Sequence, residues 1–217
     1  MNTMKASNGI QNQKTANKAT TGKVSDVRKM TMTAMLAAVA TVLMFLSVSV
    51  PFMPSYIKFD ISELPALIAS FTLGPVSGVT VCLVKNLINV FQSTTSGVGE
   101  LCNFLMGVTF VLPAGLLYNR RRTFKGAVLG VIIGCFSMAI LSVPLNYFVV
   151  YPAYIKLAGY PLEGIIAMYN VLNSYVDTLL KGLIIFNMPF TFLKGLSSVL
   201  ITFLIYKPLS PIIRGER

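Results

Sequence analysis

The 217-residue chain contains no histidine and no tryptophan, and only 7 of its residues are Asp or Glu. Without histidine, a zinc site lacks its usual nitrogen ligand. The three cysteines, Cys82, Cys102 and Cys135, form no CxxC pair and lie in apolar segments. They read as small packing residues rather than as a metal or disulfide framework. There is no Walker A sequence, no paired-carboxylate motif and no Ser/His/Asp set, so nothing in the chain points to an enzyme or to an ATP-driven motor. No bound metal or cofactor is expected. Charge itself is scarce, at 12% of residues, against about 25% in soluble domains.

What the chain has instead is hydrocarbon. Hydrophobic residues make up 54%, and the mean hydropathy is +0.72. No charge falls between Lys29 and Lys58, Glu63 and Lys85, Glu100 and Arg120, or Lys125 and Lys156. A last run, Lys181 to Lys207, is interrupted only by Lys194. A bilayer core of about 30 Å takes roughly 20 apolar residues in a helix. These runs are continuously apolar rather than alternating, which argues against a β-barrel. The expected fold is an all-α membrane protein, a bundle of six transmembrane helices.

The first helix is expected over "MTMTAMLAAVATVLMFLSVSV", ending at Pro51. The interval after Glu63 is too long for one span and contains Gly74-Pro75, a turn signal. It therefore divides into helices over about 64–73 and 76–93, followed by a loop, "TTSGVG", at 94–99. Helices over about 100–118, 124–155 (with a bend at Pro144) and 176–206 complete the set, with 156–174 as a more polar loop that has room for an interfacial helix. Residues 1–28 read as a disordered cytoplasmic tail and residues 29–210 as the membrane domain. Residues 211–217 read as a C-terminal cytoplasmic tail. The N-terminal stretch lacks the apolar core that a signal peptide carries.

Charge placement tests that count. If both termini are cytoplasmic, the inside segments hold Lys5, Lys14, Lys18, Lys23, Arg28, Lys29, Arg120, Arg121, Arg122, Lys125, Lys207, Arg214 and Arg217. The outside loops keep mainly Lys58 and Lys156, beside Asp60, Glu63 and Glu163. The positive-inside rule is then satisfied with an even number of spans. It also accounts for the +11 net charge without invoking a nucleic-acid partner.

Polar groups inside spans cost about 2.5–3.5 kcal/mol when charged and usually face an interior site. On the last helix Asn187, Thr191, Lys194 and Ser198 recur at i, i+4, i+7 and i+11, which is one stripe. The stripe reads as the wall of a ligand cavity, or else as interhelical hydrogen bonding with Lys194 snorkelling to an interface. Asn146, near the outer end of its helix, wants a partner. Tyr147, Tyr151 and Tyr154 beside it fit an aromatic belt. Lys85, Asn86 and Asn89 are polar positions on the third helix. The "TTSGVGELCNF" segment brings Gly97, Gly99 and Asn103 to the same outer side. The stretch "IKFDISELPALIAS", with Lys58, Asp60 and Glu63 between apolar runs, is either a lid or a solvated turn. Small residues every four positions, Gly126, Gly130 and Gly134 on one helix and Ala34 and Ala38 on another, allow close helix approach. No two-fold repeat of the alternating-access kind is visible. An autonomous ion-coupled carrier using Lys85 and Glu100 as charge relays is the competing reading.

Taken in order, "MLAAVATVLMF", "FDISELPALIASFTLGPVSGV", "VKNLINV", "NFLMGVTFVLPAGLLYN", "LNYFVVYPAY" and "PFTFLKG" resemble the riboflavin-specific substrate-binding (S) subunits of energy-coupling-factor (ECF) transporters. The likeness runs from about residue 30 to 206. It implies a six-helix bundle of the bacterial cell membrane that captures riboflavin from outside, beneath the loop joining helices one and two. Asp60, Ser62 and Glu63 would belong to the cap over that site. The isoalloxazine edge presents carbonyl, N–H and carbonyl, which an Asn side chain can match with donor and acceptor. In the family an Asn in "LNYF" and an N-x-x-K pair do this. Here those roles fall on Asn146 and Lys194, with Thr191 standing where the pair has Asn and Asn187 one turn away. That departure leaves another vitamin or a flavin nucleotide as the alternative ligand. The resemblance further implies a transmembrane coupling subunit and two cytoplasmic ATPases as partners, with Ala34 and Ala38 on the docking face.

Overall fold

The computed structural model describes residues 26–50, 53 and 57–214. The expected N-terminal tail lies outside the described residues up to position 25. Residues 26–28 already form the first turn of α1, Asp26–Phe45. The C-terminal helix likewise continues to Arg214, into the stretch read as a tail.

α1 stops short of the expected end near Pro51. After Ser47 the chain turns extended and forms a two-stranded antiparallel ribbon, β1 (Val48–Ser49) with β2 (Lys58–Phe59), paired Val48 to Phe59 and Ser49 to Lys58. The sequence "SVSVP" favours this. Valine is stiff in the pleated conformation, and the residue before proline is driven out of the helical region.

α2 (Glu63–Thr72) and α3 (Pro75–Asn89) are separated at Gly74, whose φ of 107° suits glycine, with Pro75 opening α3. A 3₁₀ turn, Val90–Gln92, extends α3. α4 (Val98–Arg120) and α5 (Phe124–Leu145) form the most extensive helix pair of the bundle. α5 runs through a π turn, Asn146–Val150, into α6 (Tyr151–Leu157), making one rod of 34 residues. α7 (Leu162–Leu172) occupies the segment read as a loop. α8 (Leu179–Gly182) passes through a second π turn, Leu183–Asn187, into α9 (Met188–Arg214).

Both π turns are followed by a proline, Pro152 and Pro189, at the second residue of the next helix. Proline cannot donate to the carbonyl four residues back and its ring collides with it, so widening the preceding turn relieves the clash. In the α5–α6 rod the irregular turn thus begins at Asn146, two residues beyond Pro144.

Among the described residues, four helical segments are long and apolar enough to cross a bilayer: Asp26–Phe45, Val98–Arg120, Phe124–Leu157 and Leu179–Ile201. The count of six from the sequence differs because α2 and α3 have only 10 and 15 residues. At 1.5 Å per residue neither alone spans about 30 Å. Large apolar side chains such as Leu129, Ile132, Phe136 and Ile140 face outward from α5, as expected where lipid is the solvent.

The glycine stripe is resolved as internal packing. A Cβ on Gly134 would lie 2.5 Å from the Phe110 carbonyl oxygen, and one on Gly130 would lie 2.7 Å from that of Ala114. Both glycines let the α5 backbone rest on α4. Two buried clusters result. One is built on Ala66, Leu67, Val81, Phe110, Val111 and Met138. The other is built on Val98, Val150, Tyr151, Tyr169 and Leu183, beneath α7. The polar residues of interest lie between them.

Candidate functional site

A cavity of about 230 Å³ opens where α1, the β2 loop, α3, α4, the π turns and α9 converge. Met44, Phe45, Met106, Met138 and Phe190 supply apolar walls, and Asp60, Asn103, Asn146, Asn187, Thr191 and Lys194 supply polar groups. Of the eight residues assigned to the ligand site from the sequence, these six and Gly99 line the cavity. Gly97 does not. That residue caps α4 in the left-handed region, φ 83°, and its N–H donates to Ser93 Oγ at 2.9 Å, so its role is to shape the loop. Gly99 lies closer in: its N–H donates to Thr95 Oγ1 at 3.0 Å.

On α9, Lys194 does not snorkel. It is 8% exposed, and its ammonium donates to Asp60 Oδ2 at 2.9 Å and to Asn103 Oδ1 at 3.0 Å. Asn103 passes the chain on to Asn86 Oδ1 at 3.3 Å. Ser198 belongs to the helix itself, with its hydroxyl donating to the Lys194 carbonyl. Thr191, 7% exposed on the cavity wall, has no hydrogen-bond partner among the described residues.

The charged stretch 58–63 proves to be neither a solvated turn nor simply a cap. Asp60 lines the cavity, while Ser62 and Glu63 are buried below it. Asp60 Oδ1 accepts from the Ser62 backbone N–H at 2.9 Å and from the Ser62 hydroxyl. Lys85, fully buried, donates to Ser62 Oγ at 2.6 Å and to Glu63 Oε1 at 2.8 Å. Two cations and two carboxylates thus form a net-neutral knot, the arrangement in which buried charge is tolerable. The relay partners imagined for an ion-coupled carrier belong to separate networks, since Glu100 accepts from Ser93 Oγ at 2.6 Å.

Burial alone would push the Asp60 carboxyl up, but the ammonium groups of Lys194 and, next, Lys85 outweigh it and hold the carboxyl well below the usual carboxylate range. Because the folded value is depressed, the stabilisation is complete above the unfolded value of about 3.9 and is lost as pH falls through the folded one. The melting difference between wild type and Asp60→Asn is therefore expected to stay constant from about pH 5 to 8 and to shrink only in stronger acid.

The amides sit on the π turns. Asn146 Nδ2 donates to the Ser142 carbonyl at 2.7 Å, and its Oδ1 accepts a long bond from Cys102 Sγ at 3.5 Å. An amide has two N–H groups and two lone pairs, so capacity remains for a ligand. Asn187 Oδ1 accepts from Tyr169 Oη at 2.7 Å, and its Nδ2 donates to Tyr151 Oη at 3.3 Å. The tyrosines expected as a belt divide. Tyr147 is exposed, whereas Tyr151 and Tyr154 are buried on the cavity wall. Sequence reasoning missed Met44, Phe45, Met138 and Phe190, which carry no signal beyond ordinary apolar patterning. Asn89 was noted but not placed at the site, and it too lines the cavity.

The architecture is thus a helical bundle with membrane-length spans around a polar-walled cavity. The family model for ECF transporter substrate-specific components matches residues 28–206, and the chain belongs to that family. Its class is that of a transporter's substrate-binding component rather than an enzyme, with several membrane-crossing helices. It is 36% identical over 176 residues to "Riboflavin transporter RibU" of Staphylococcus aureus, covering 81% of this chain and 87% of that protein. It is 32% identical over 195 residues to "Riboflavin transporter FmnP" of Bacillus subtilis, covering 88% and 96%. A solved structure described as "Structure and mechanism of the S component of a bacterial ECF transporter" has TM-score 0.68 and 34% identity, over 88% of this chain and 98% of that one.

Proposed function

We propose that this chain binds riboflavin from the external side of a bacterial membrane and presents it for uptake driven by an ECF module. The observation that carries the reading is the cavity wall. Asn146, Asn187 and Thr191 offer donors and acceptors beside Met44, Met106, Met138 and Phe190, which suit a flat apolar ring system with one hydrogen-bonding edge. Relatives named riboflavin transporters support the choice of vitamin. In this reading α2 and α3, stacked on one another and on α4, complete a bundle of six membrane helices.

Orientation follows from charge. The cavity lies at the end of α4 that carries Glu100 and Asn103, and Arg120 to Lys125 lie at the other, roughly 30 Å from Glu100 along the helix. With the arginines inside, the cavity opens outward and both termini are cytoplasmic. Ala34 and Ala38, exposed on α1 beside Met35, would dock a transmembrane coupling subunit, with two cytoplasmic ATPases providing the drive that this chain lacks.

Titration of detergent-purified protein against riboflavin tests the reading. Saturable quenching of flavin fluorescence is expected, with no competition from thiamin. Asn146→Ala, which removes the paired donor and acceptor, should weaken binding by about 10- to 100-fold, the loss of one or two hydrogen bonds in a buried site. An affinity unchanged by that substitution would remove Asn146 from the site.

A further inference from the structure

The cavity has a second polar zone, apart from the amides on the π turns. From the end of α3 to the first turn of α4 its lining is Asn89, Gln92, Thr94, Thr95 and Glu100, and β2 adds Lys58. Glu100 is half-buried, and its carboxylate is held in place. Ser93 Oγ donates to its Oε2 at 2.6 Å, and the same hydroxyl oxygen accepts from the Thr95 and Gly97 N–H groups at 3.2 and 2.9 Å. Among the described residues no lysine or arginine forms an ion pair with Glu100. The two charges deeper on the wall, Asp60 and Lys194, cancel in their own contact at 2.9 Å. A helix start ordinarily draws anions, but the first N–H groups of α4 are taken. Val98 donates to the Thr95 carbonyl at 3.1 Å and Gly99 to Thr95 Oγ1 at 3.0 Å.

Resting on the riboflavin reading above, we propose that Glu100 makes the site selective for a flavin whose side chain ends in hydroxyls over the same flavin ending in a phosphate. With the ring edge on Asn146, Asn187 and Thr191, the ribityl chain points toward the outer opening. Met106 on the apolar wall and Glu100 are six residues apart on α4, roughly 9 Å along its axis. A five-carbon chain leaving the ring can cover that distance. A carboxylate accepts hydrogen bonds from polyol hydroxyls, and the amide and hydroxyl side chains beside it both give and take them. A phosphate monoester carries a charge of about −1.5 to −2 at pH 7 and offers mainly acceptor oxygens, so it meets repulsion there instead of a bond. Lys58 opposes this effect. It is exposed, however, and screened by water and salt, whereas Glu100 is half-buried and fixed. The carboxylate therefore decides.

Titration of the purified full chain with riboflavin, riboflavin phosphate and lumiflavin, which lacks the polyol, tests this by flavin fluorescence quenching. Wild type should bind the phosphate about 100-fold more weakly than riboflavin, as like charges brought together at a binding site require. Glu100→Gln keeps the size and the acceptor for Ser93, and should narrow that gap about tenfold through tighter phosphate binding. Riboflavin affinity should change by less than about threefold, and lumiflavin affinity should stay the same. Lys58→Gln should move the gap by less than about threefold. Where Glu100→Gln does not fold, Ser93→Ala unfastens the same carboxylate and should narrow the gap in the same direction. Wild-type protein that does not quench riboflavin at all overturns the riboflavin reading and this inference with it. Riboflavin binding with an equally tight phosphate, with a gap that Glu100→Gln leaves unchanged, or with a lumiflavin shift as large as that of the phosphate, overturns this inference alone.

Discussion

Lys85→Met is expected to destabilise the ligand-free protein by about 3–5 kcal/mol, the cost of stranding one buried charge. Its ammonium is 0% exposed and bonded to Glu63 and Ser62. Without it the Glu63 carboxylate, 1% exposed, keeps among the described residues a long bond from Cys82 Sγ at 3.6 Å. Among the described residues, no other side chain of this size is both charged and wholly enclosed. The double variant Lys85→Met with Glu63→Leu removes both charges at similar volume and should recover most of the loss, since buried pairs often break even against apolar replacements. Melting in detergent, followed by near-UV circular dichroism, reads both. A double variant as unstable as the single one would mean that the pair matters for its shape rather than for its balance of charge.

Lys194→Ala should abolish tight riboflavin binding, with a loss of at least about 100-fold, equivalent to roughly 2–5 kcal/mol for truncating one partner of a buried charge pair at a binding site. Two effects combine. The cavity loses a buried cationic donor, and Asp60 Oδ2 loses the contact at 2.9 Å that ties the β2 loop to α9. A second substitution separates them. Asp60→Asn added to Lys194→Ala relieves the stranded carboxylate, so thermal stability should return toward wild type while affinity does not. Return of both would reduce Lys194 to a structural tie.

The two substitutions draw on residues of very different legibility. Asn146, Asn187, Thr191 and Lys194 could be picked out because amides and an ammonium are conspicuous in apolar runs, and helical spacing alone put three of them on one face. Asp60 was conspicuous too, but its partner is far away in the chain, and no local pattern links a loop carboxylate to an ammonium on the last helix. Lys85 invited a functional role as an ionisable group in a span, whereas its structure is that of a buried counter-ion. Tyr151 and Tyr154 were read as a belt because straight α-helical spacing keeps them in line with Tyr147. The π turn over Asn146–Val150 rotates the chain between them and points the later two inward. α7 falls in the segment read as a more polar loop with room for an interfacial helix, and nothing in "LEGIIAMYNVL" marked it as part of the core. Its buried Ile165 and Tyr169 show that tertiary packing supplies what local propensity does not. The helix count turns on length. Hydropathy marks apolar segments, but whether 10- and 15-residue helices cross a bilayer depends on how they stack.

A structure of the purified full chain determined in the presence of riboflavin tests the central claim most directly. The account predicts one flavin between Phe45, Met138 and Phe190, its polar edge on Asn146, Asn187 and Thr191, and Lys194 within hydrogen-bond reach. A flavin bound elsewhere on the bundle, or this hollow left occupied only by solvent at saturating vitamin, would contradict it.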